Sequence, residues 1–151
     1  MYHYAECGLN NVYLVNGYIE EETEYGPATA IMNLQGLHNA IGKRIVMGTA
    51  RLLLGEEIRF LRKELNLSQK NLGAILGVKD QTVARWEKDE RVIPKSADMC
   101  LRALFMETKF GSCNLAEVID KLNNIDARYA MVRLEMKECE NEEWVADSMA
   151  A

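Results

Sequence analysis

The stretch SQKNLGAILGVKDQTVARWEK, Ser68 to Lys88, decides the fold. It reads as two short helices joined by a tight turn. Ser68 is suited to cap the first helix, because its hydroxyl can accept one of the orphan N–H groups there. Leu72, Ile75 and Leu76 recur at helical spacing and mark one face as buried. Gly77 follows that run, where a residue free to take positive φ can end a helix. Val78 is the apolar residue of the turn. Asp80 caps or enters the second helix, whose inner side is Val83 and Trp86.

Counted from Gln69 as first, Gly73 falls fifth, Gly77 ninth, Val83 fifteenth and Trp86 eighteenth. This is the spacing of a helix-turn-helix. Steeply crossed helices need a small residue at their closest approach, a glycine in the turn and branched or aromatic plugs behind. The second helix then exposes Asp80, Gln81, Thr82 and Arg85 near its N-terminus.

On these residues the chain resembles the Cro/C1-type (XRE) helix-turn-helix family, over roughly Gly55 to Phe105. LSQ (Leu67–Gln69), LG (Leu76–Gly77) and RWEK (Arg85–Lys88) carry the likeness, with Arg62 and Glu87 at positions that form an inter-helix ion pair in the family. Two positions depart from the pattern. Gly73 stands where alanine is usual, at about 1 kcal/mol of helix propensity. Asp89 stands where glycine usually closes the helix, and Asp is less at ease with left-handed φ.

The resemblance implies a lambda-repressor-like helix-turn-helix helical core, and strand-favouring stretches outside it add small β elements at the N- and C-terminal ends of a mainly α fold. It also implies a double-stranded DNA operator as partner, bound by a homodimer. Asp80, Gln81, Thr82 and Arg85 become the expected base readers. Gln suits adenine N6/N7 and Arg suits guanine O6/N7. Ser68 and Gln69 open a helix whose N–H groups favour a phosphate. Lys88 and Lys95 flank the second helix and suit the DNA backbone. Arg62 and Glu87 form a structural strut. The helical core also resembles that of MqsA-type antitoxins, but the zinc-binding cysteine pairs of those proteins have no counterpart here. The expected function is a sequence-specific transcriptional regulator, a repressor. The alternative is an antitoxin that binds a toxin and represses its own operon.

At 151 residues the chain suits one ordinary domain, or a small domain with appendages. The sequence divides into an N-terminal β-hairpin region plus helix (1–50), the DNA-binding domain (51–109) and a C-terminal helix and strand extension (110–151). The net charge of −5 argues by itself against a polyanionic partner. The charge is uneven, however: 51–109 carries 12 Lys/Arg against 9 Asp/Glu, whereas 1–50 carries 2 against 5 and 110–151 carries 4 against 9. The acid therefore lies outside the helical core and need not face DNA.

No run approaches the ~18 apolar residues of a membrane span, and the first residues do not read as a signal peptide. Cys7, Cys100, Cys113 and Cys139 are scattered without a CxxC, which suggests reduced thiols in a cytoplasmic protein and no metal site. There is no GxSxG, HExxH, Walker loop or dinucleotide glycine fingerprint. His3 and His38, the latter half-buried on a helix, have no nucleophile motif near them. No catalytic residue and no cofactor are implied.

Outside the motif, Val12–Val15 favours strand, and Asn16–Gly17 is a hairpin signal with Tyr18–Ile19 starting the return strand. Glu20, Glu21, Glu22 and Glu24 read as a solvated edge or loop. Tyr25, Gly26 and Pro27 read as a turn, and Thr29–Met32 as a third strand. Asn33 can cap a helix from Leu34 to about Val46, with Leu34, Leu37, Ile41 and Ile45 on its apolar side. A second helix is expected from about Gly55 to Leu65.

Ser96 can cap a helix with a stripe of Ala97, Cys100, Leu101, Leu104 and Phe105. Met99, Ala103 and Met106 lie on another side, as filler or as a dimer contact. Gly111–Asn114 is a break and Leu115–Leu122 a further helix. Alternation from Ala130 to Met136 favours a strand, with helix over Asp126–Glu138 the competing reading. Asn141–Glu143 can turn it into a short strand at Trp144–Val145, and Asp147–Ala151 should fray. The terminal strands are expected to pair, within the chain or with a second subunit, because a lone hairpin is marginal in water.

Overall fold

The computed structural model describes residues 1–48, 51–111 and 133–147. The fold is mainly α, with a helix-turn-helix core and small strands at both ends of the chain. Contacts divide the chain into two compact units, Met1–Ile41 with Met131–Ala151, and Gly42–Ala130.

The first unit holds the strands. β1 (Tyr2–His3) pairs antiparallel with β2 (Val12–Leu14), which pairs in parallel with β5 (Leu134–Glu138), and β5 pairs antiparallel with β6 (Trp144–Ala146). The parallel register sets Val12 against Leu134 and Leu14 against Met136. Val12, Leu14, Met136 and Trp144 are buried, as are Tyr4, Leu9, Leu37 and Ile41 of the same unit. The expected pairing of N-terminal and C-terminal strands therefore occurs within the chain, and 134–138 is strand, not helix. The turn expected at Asn141–Glu143 is present: Glu142 takes φ 63° and its N–H donates to the Cys139 carbonyl. The predicted helix at 115–122 and the start of the alternating strand lie outside the described residues.

A separate two-stranded sheet is formed by β3 (Tyr18–Thr23) and β4 (Gly26–Ile31). This corrects the hairpin expected at Asn16–Gly17. The turn falls at Glu24–Tyr25, and the acidic residues Glu20 to Glu22 are strand. The Asn16 amide is committed elsewhere: its Oδ1 accepts from the Glu138 N–H at 2.6 Å and its Nδ2 donates to the Glu138 carbonyl at 3.3 Å. Val15 N–H meanwhile continues the β2–β5 ladder by donating to the Met136 carbonyl. Gly17 lies beneath Trp144, where a Cβ would come within 2.5 Å of the indole. Asn-Gly here marks the passage from one sheet to the other.

α1 (Leu34–Gly48) begins at Asn33, which takes φ 47° and whose Oδ1 accepts from the Gly36 N–H. Leu37, Ile41 and Ile45 are buried as expected, whereas Leu34, in the first turn, is 47% exposed. His38 is half-buried, with Nε2 at 2.8 Å from the Tyr4 hydroxyl.

The second unit contains α2 (Gly55–Glu64), α3 (Gln69–Leu76), α4 (Asp80–Glu87) and α5 (Lys95–Phe110). α5 starts at Lys95 with Pro94 before it, so Ser96 lies inside the helix and does not cap it. The proline fixes its own φ near the entry and supplies the turn without a side-chain acceptor. Its buried stripe is Ala97, Asp98, Leu101, Arg102, Phe105 and Met106. This is rotated by roughly one residue, about 100°, from the purely apolar stripe. Cys100 is consequently exposed, and Met106 is buried.

The cause of the rotation is ionic. Asp98 and Arg102 are fully buried and pair at 2.6 Å. Asp98 also accepts the Leu53 N–H at 2.7 Å, while Arg102 donates to the carbonyls of Val46 and Arg51. Burial raises the Asp98 carboxyl above its ordinary range, against the pull of Arg102 and the Leu53 N–H. A second pair, Arg51–Glu57, is bidentate at 2.7 and 3.2 Å, and Glu57 also accepts the Leu54 N–H. The backbone leading into α2 is thus held by charge-assisted bonds where its polar groups would otherwise lie unpaired.

Candidate nucleic-acid interface

α3 is built as its sequence suggests. Ser68 Oγ accepts the Asn71 N–H at 3.0 Å, and Gly77 ends the helix at φ 75°. Leu72 and Gly73 are its buried residues. Ile75, expected on that face, is 55% exposed. The reason is geometric: α3 meets the turn at Gly73, so its inner face centres between Leu72, Gly73 and Leu76, and Ile75 lies about 100° around the helix from there. A Cβ at Gly73 would lie 2.6 Å from the Val78 carbonyl oxygen. Glycine at this position therefore does not merely forfeit propensity relative to alanine. It permits the close approach of α3 to the chain entering α4.

α4 is anchored from behind. Val83 and Trp86 are 0% and 1% exposed. Arg62 holds Glu87 through two bonds, Nε to Oε2 at 2.6 Å and the outer nitrogen to Oε1 at 3.0 Å, and also donates to the Leu67 carbonyl. Asp89 closes α4 at φ 57°. Its carboxylate accepts the Gly55 N–H at 2.8 Å, at the first residue of α2. Gly55 itself sits against the Trp86 and Glu87 carbonyls with no space for a Cβ. The C-terminal end of α4 is therefore tied to α2 at both ends of that helix, through Asp89–Gly55 and Glu87–Arg62.

With the helix so fixed, Asp80, Gln81 and Arg85 are exposed and Thr82 is half-buried. Gln81 and Arg85 are one turn apart on one side. Among the described residues neither side chain has a hydrogen-bond or ion-pair partner. Asp80 is different: it is the first residue of α4, and its carboxylate accepts the Gln81 N–H at 2.9 Å, whereas the capping position, Lys79, makes no side-chain bond. Lys88 and Lys95 are exposed. Ser68 is exposed with its oxygen already accepting a bond, and half-buried Gln69 donates to Glu87 at 3.3 Å. The sequence reading placed Gln69 only toward phosphate, whereas here its amide reinforces the Arg62–Glu87 strut.

Two cations escaped the sequence reading. Lys79 and Arg91 are exposed and line, with Thr82, Val78, Val92 and Pro94, a groove of about 660 Å³ beside α4. Their signal was their placement just before and just after the second helix, which spacing alone did not distinguish from surface charge. Trp86 also borders the groove, and its Nε1 is buried without a hydrogen-bond partner among the described residues.

No helix among the described residues is long and apolar enough to cross a membrane. No curated protein and no solved structure matches the chain. Residues 58–98, from within α2 to the start of α5, match the model of the helix-turn-helix family, of the XRE type, which points to a DNA-binding transcription-regulator domain in this part of the chain.

Proposed function

We propose that the chain is a sequence-specific, double-stranded DNA-binding transcriptional regulator that acts as a homodimer and represses by covering its operator. The observation that supports this best is the pair Gln81 and Arg85, exposed and unpaired among the described residues on a helix fixed by Val83, Trp86 and the Arg62–Glu87 strut. Such an arrangement offers a guanidinium and an amide to base edges from a fixed helix, so that side-chain rotamers and not the backbone are what binding must order.

Thr82 supplies a hydroxyl beside them, and Asp80 orients the first turn while disfavouring phosphate close to it. Lys88 and Lys95, with Ser68 and Gln69 at the start of α3, address the backbone and set register. One such module buries a modest area, so two copies on a two-fold-related site would supply operator affinity.

Selecting bound duplexes from a random pool with the full chain tests the reading. The expected product is an inverted repeat with half-sites about one helical turn apart. A pool that stays random after selection would overturn it.

The antitoxin alternative draws on one further observation: the strands, with the first half of α1, belong to a different compact unit from the helix-turn-helix. Under that reading, co-expression with a small basic ribonuclease-like protein encoded next to the chain yields a stable complex and relieves toxicity. A neighbour that neither binds nor harms the cell would exclude it.

A further inference from the structure

The β3–β4 hairpin has no further strand paired on either side among the described residues. Its register fixes which backbone groups are left over. Met32 N–H donates to the Gly17 carbonyl, and in an antiparallel ladder bonded and non-bonded pairs alternate. Ile19–Ala30, Glu21–Ala28 and Thr23–Gly26 are therefore the bonded pairs. Glu20 and Glu22 turn their N–H and C=O groups outward, along the free edge of β3. On the opposite edge the corresponding place is taken by Pro27, which has no N–H to give. Thr29 and Ile31 also face outward on that edge, but Pro27 interrupts it, so the edge of β3 is the one with an unbroken run of donors.

Its chemistry is one-sided. From Tyr18 to Met32 there are four glutamates, Glu20, Glu21, Glu22 and Glu24, and no Lys or Arg. All four are exposed, as are Ile19 at 45% and Tyr25 at 97%. A second copy pairing along this edge would set glutamate beside glutamate, which is destabilising on a sheet. A strand with Lys or Arg at alternate positions would instead place cations beside Glu20 and Glu22, which share a face.

We propose that the free edge of β3 is the docking site for a basic β-strand of a partner protein, added to the hairpin by main-chain pairing and selected by the glutamates. Main-chain bonds supply the affinity of such an addition and alternate side chains its specificity. The site lies outside the helix-turn-helix, and the inference stands whether or not the chain binds DNA.

The probe is a synthetic heptapeptide of alternating lysine and valine, titrated into the full chain at physiological salt. Controls are the same peptide with its central valine replaced by proline and a glutamate–valine counterpart. Amide hydrogen exchange, followed residue by residue, should show the Glu20 and Glu22 N–H groups gaining protection with the lysine peptide alone. The Glu21 N–H, already bonded to β4, should change little. The double substitution Glu20→Lys with Glu22→Lys, at two exposed positions, should lower affinity for the lysine peptide by about tenfold or more and improve it for the glutamate peptide.

Equal binding of the proline peptide, or protection that does not include Glu20 and Glu22, would overturn the proposal. So would protection of these two amides that grows with the concentration of the chain alone, since the edge would then serve a second copy. Operator binding by the double variant, measured in parallel, keeps a failure here separate from a failure of the DNA-binding reading.

Discussion

The carboxylate of Asp89 accepts the backbone N–H of Gly55 at 2.8 Å, so the residue that closes the proposed recognition helix also caps the helix that supports it. Asp89 sits at φ 57°, a conformation Asp and Asn tolerate better than other non-glycine residues. Asp89→Ala loses both the cap and this tolerance, and should destabilise by about 1–3 kcal/mol. Asp89→Asn keeps an acceptor of the same shape and should stay within about 0.5 kcal/mol of the parent. Urea unfolding of the three proteins checks both figures, and equal midpoints for Ala and Asn would contradict the cap.

Gly73→Ala separates propensity from packing. On propensity alone alanine should stabilise α3 by about 1 kcal/mol. The methyl group would meet the Val78 carbonyl, whose backbone cannot move without shifting the turn. The expected outcome is a net loss of about 1–3 kcal/mol, read as a lowered unfolding midpoint. A gain in stability would mean that α3 and the turn part more easily than the close approach suggests.

Asp98→Ala should be the most damaging of these changes. It leaves Arg102 buried without its carboxylate and removes the acceptor of the Leu53 N–H. A loss of about 3–5 kcal/mol is expected. Asp98→Ala with Arg102→Met should recover part of it, because an uncompensated buried charge is no longer present. Thermal or urea unfolding of the single and double variants decides, and additive losses would contradict the account.

For DNA, Arg85→Ala and Gln81→Ala should each weaken binding to the selected operator by about 1–3 kcal/mol and relax the sequence preference, with the fold unchanged. Lys88→Ala and Lys95→Ala should weaken all sequences alike and reduce the slope of log affinity against log salt by about one each. Gel shifts of operator and random duplexes across a salt series distinguish the two patterns. An Arg85→Ala protein that still prefers the operator to the same degree would remove Arg85 from the readers.

The helix-turn-helix was legible because its determinants are local. Ser68, Gly77, Val83 and Trp86 act within a turn or two of their own positions, and the spacing of the motif carries the steric conditions of the crossing. The Arg62–Glu87 pair was legible through the family resemblance. Less visible were effects that depend on what arrives from elsewhere in the chain. Asn16–Gly17 has the composition of a hairpin, but the Glu138 backbone, 122 residues later, claims the Asn16 side chain. Cys100 fits an apolar stripe, until the buried Asp98–Arg102 pair turns α5 by about a residue. An i, i+4 Asp–Arg pair ordinarily signals a solvated helix face, and only the carbonyls of Val46 and Arg51 make it an interior one.

The sequence by itself determined that two short helices cross around a glycine turn and that Gln81 and Arg85 fall on the outer side of the second. Hydrophobic spacing and backbone sterics are sufficient for that. Tertiary structure decided how the second helix is held, which strands pair and which edge of the hairpin stays open. Those outcomes depend on hydrogen-bond partners far apart along the chain, which residue spacing does not encode.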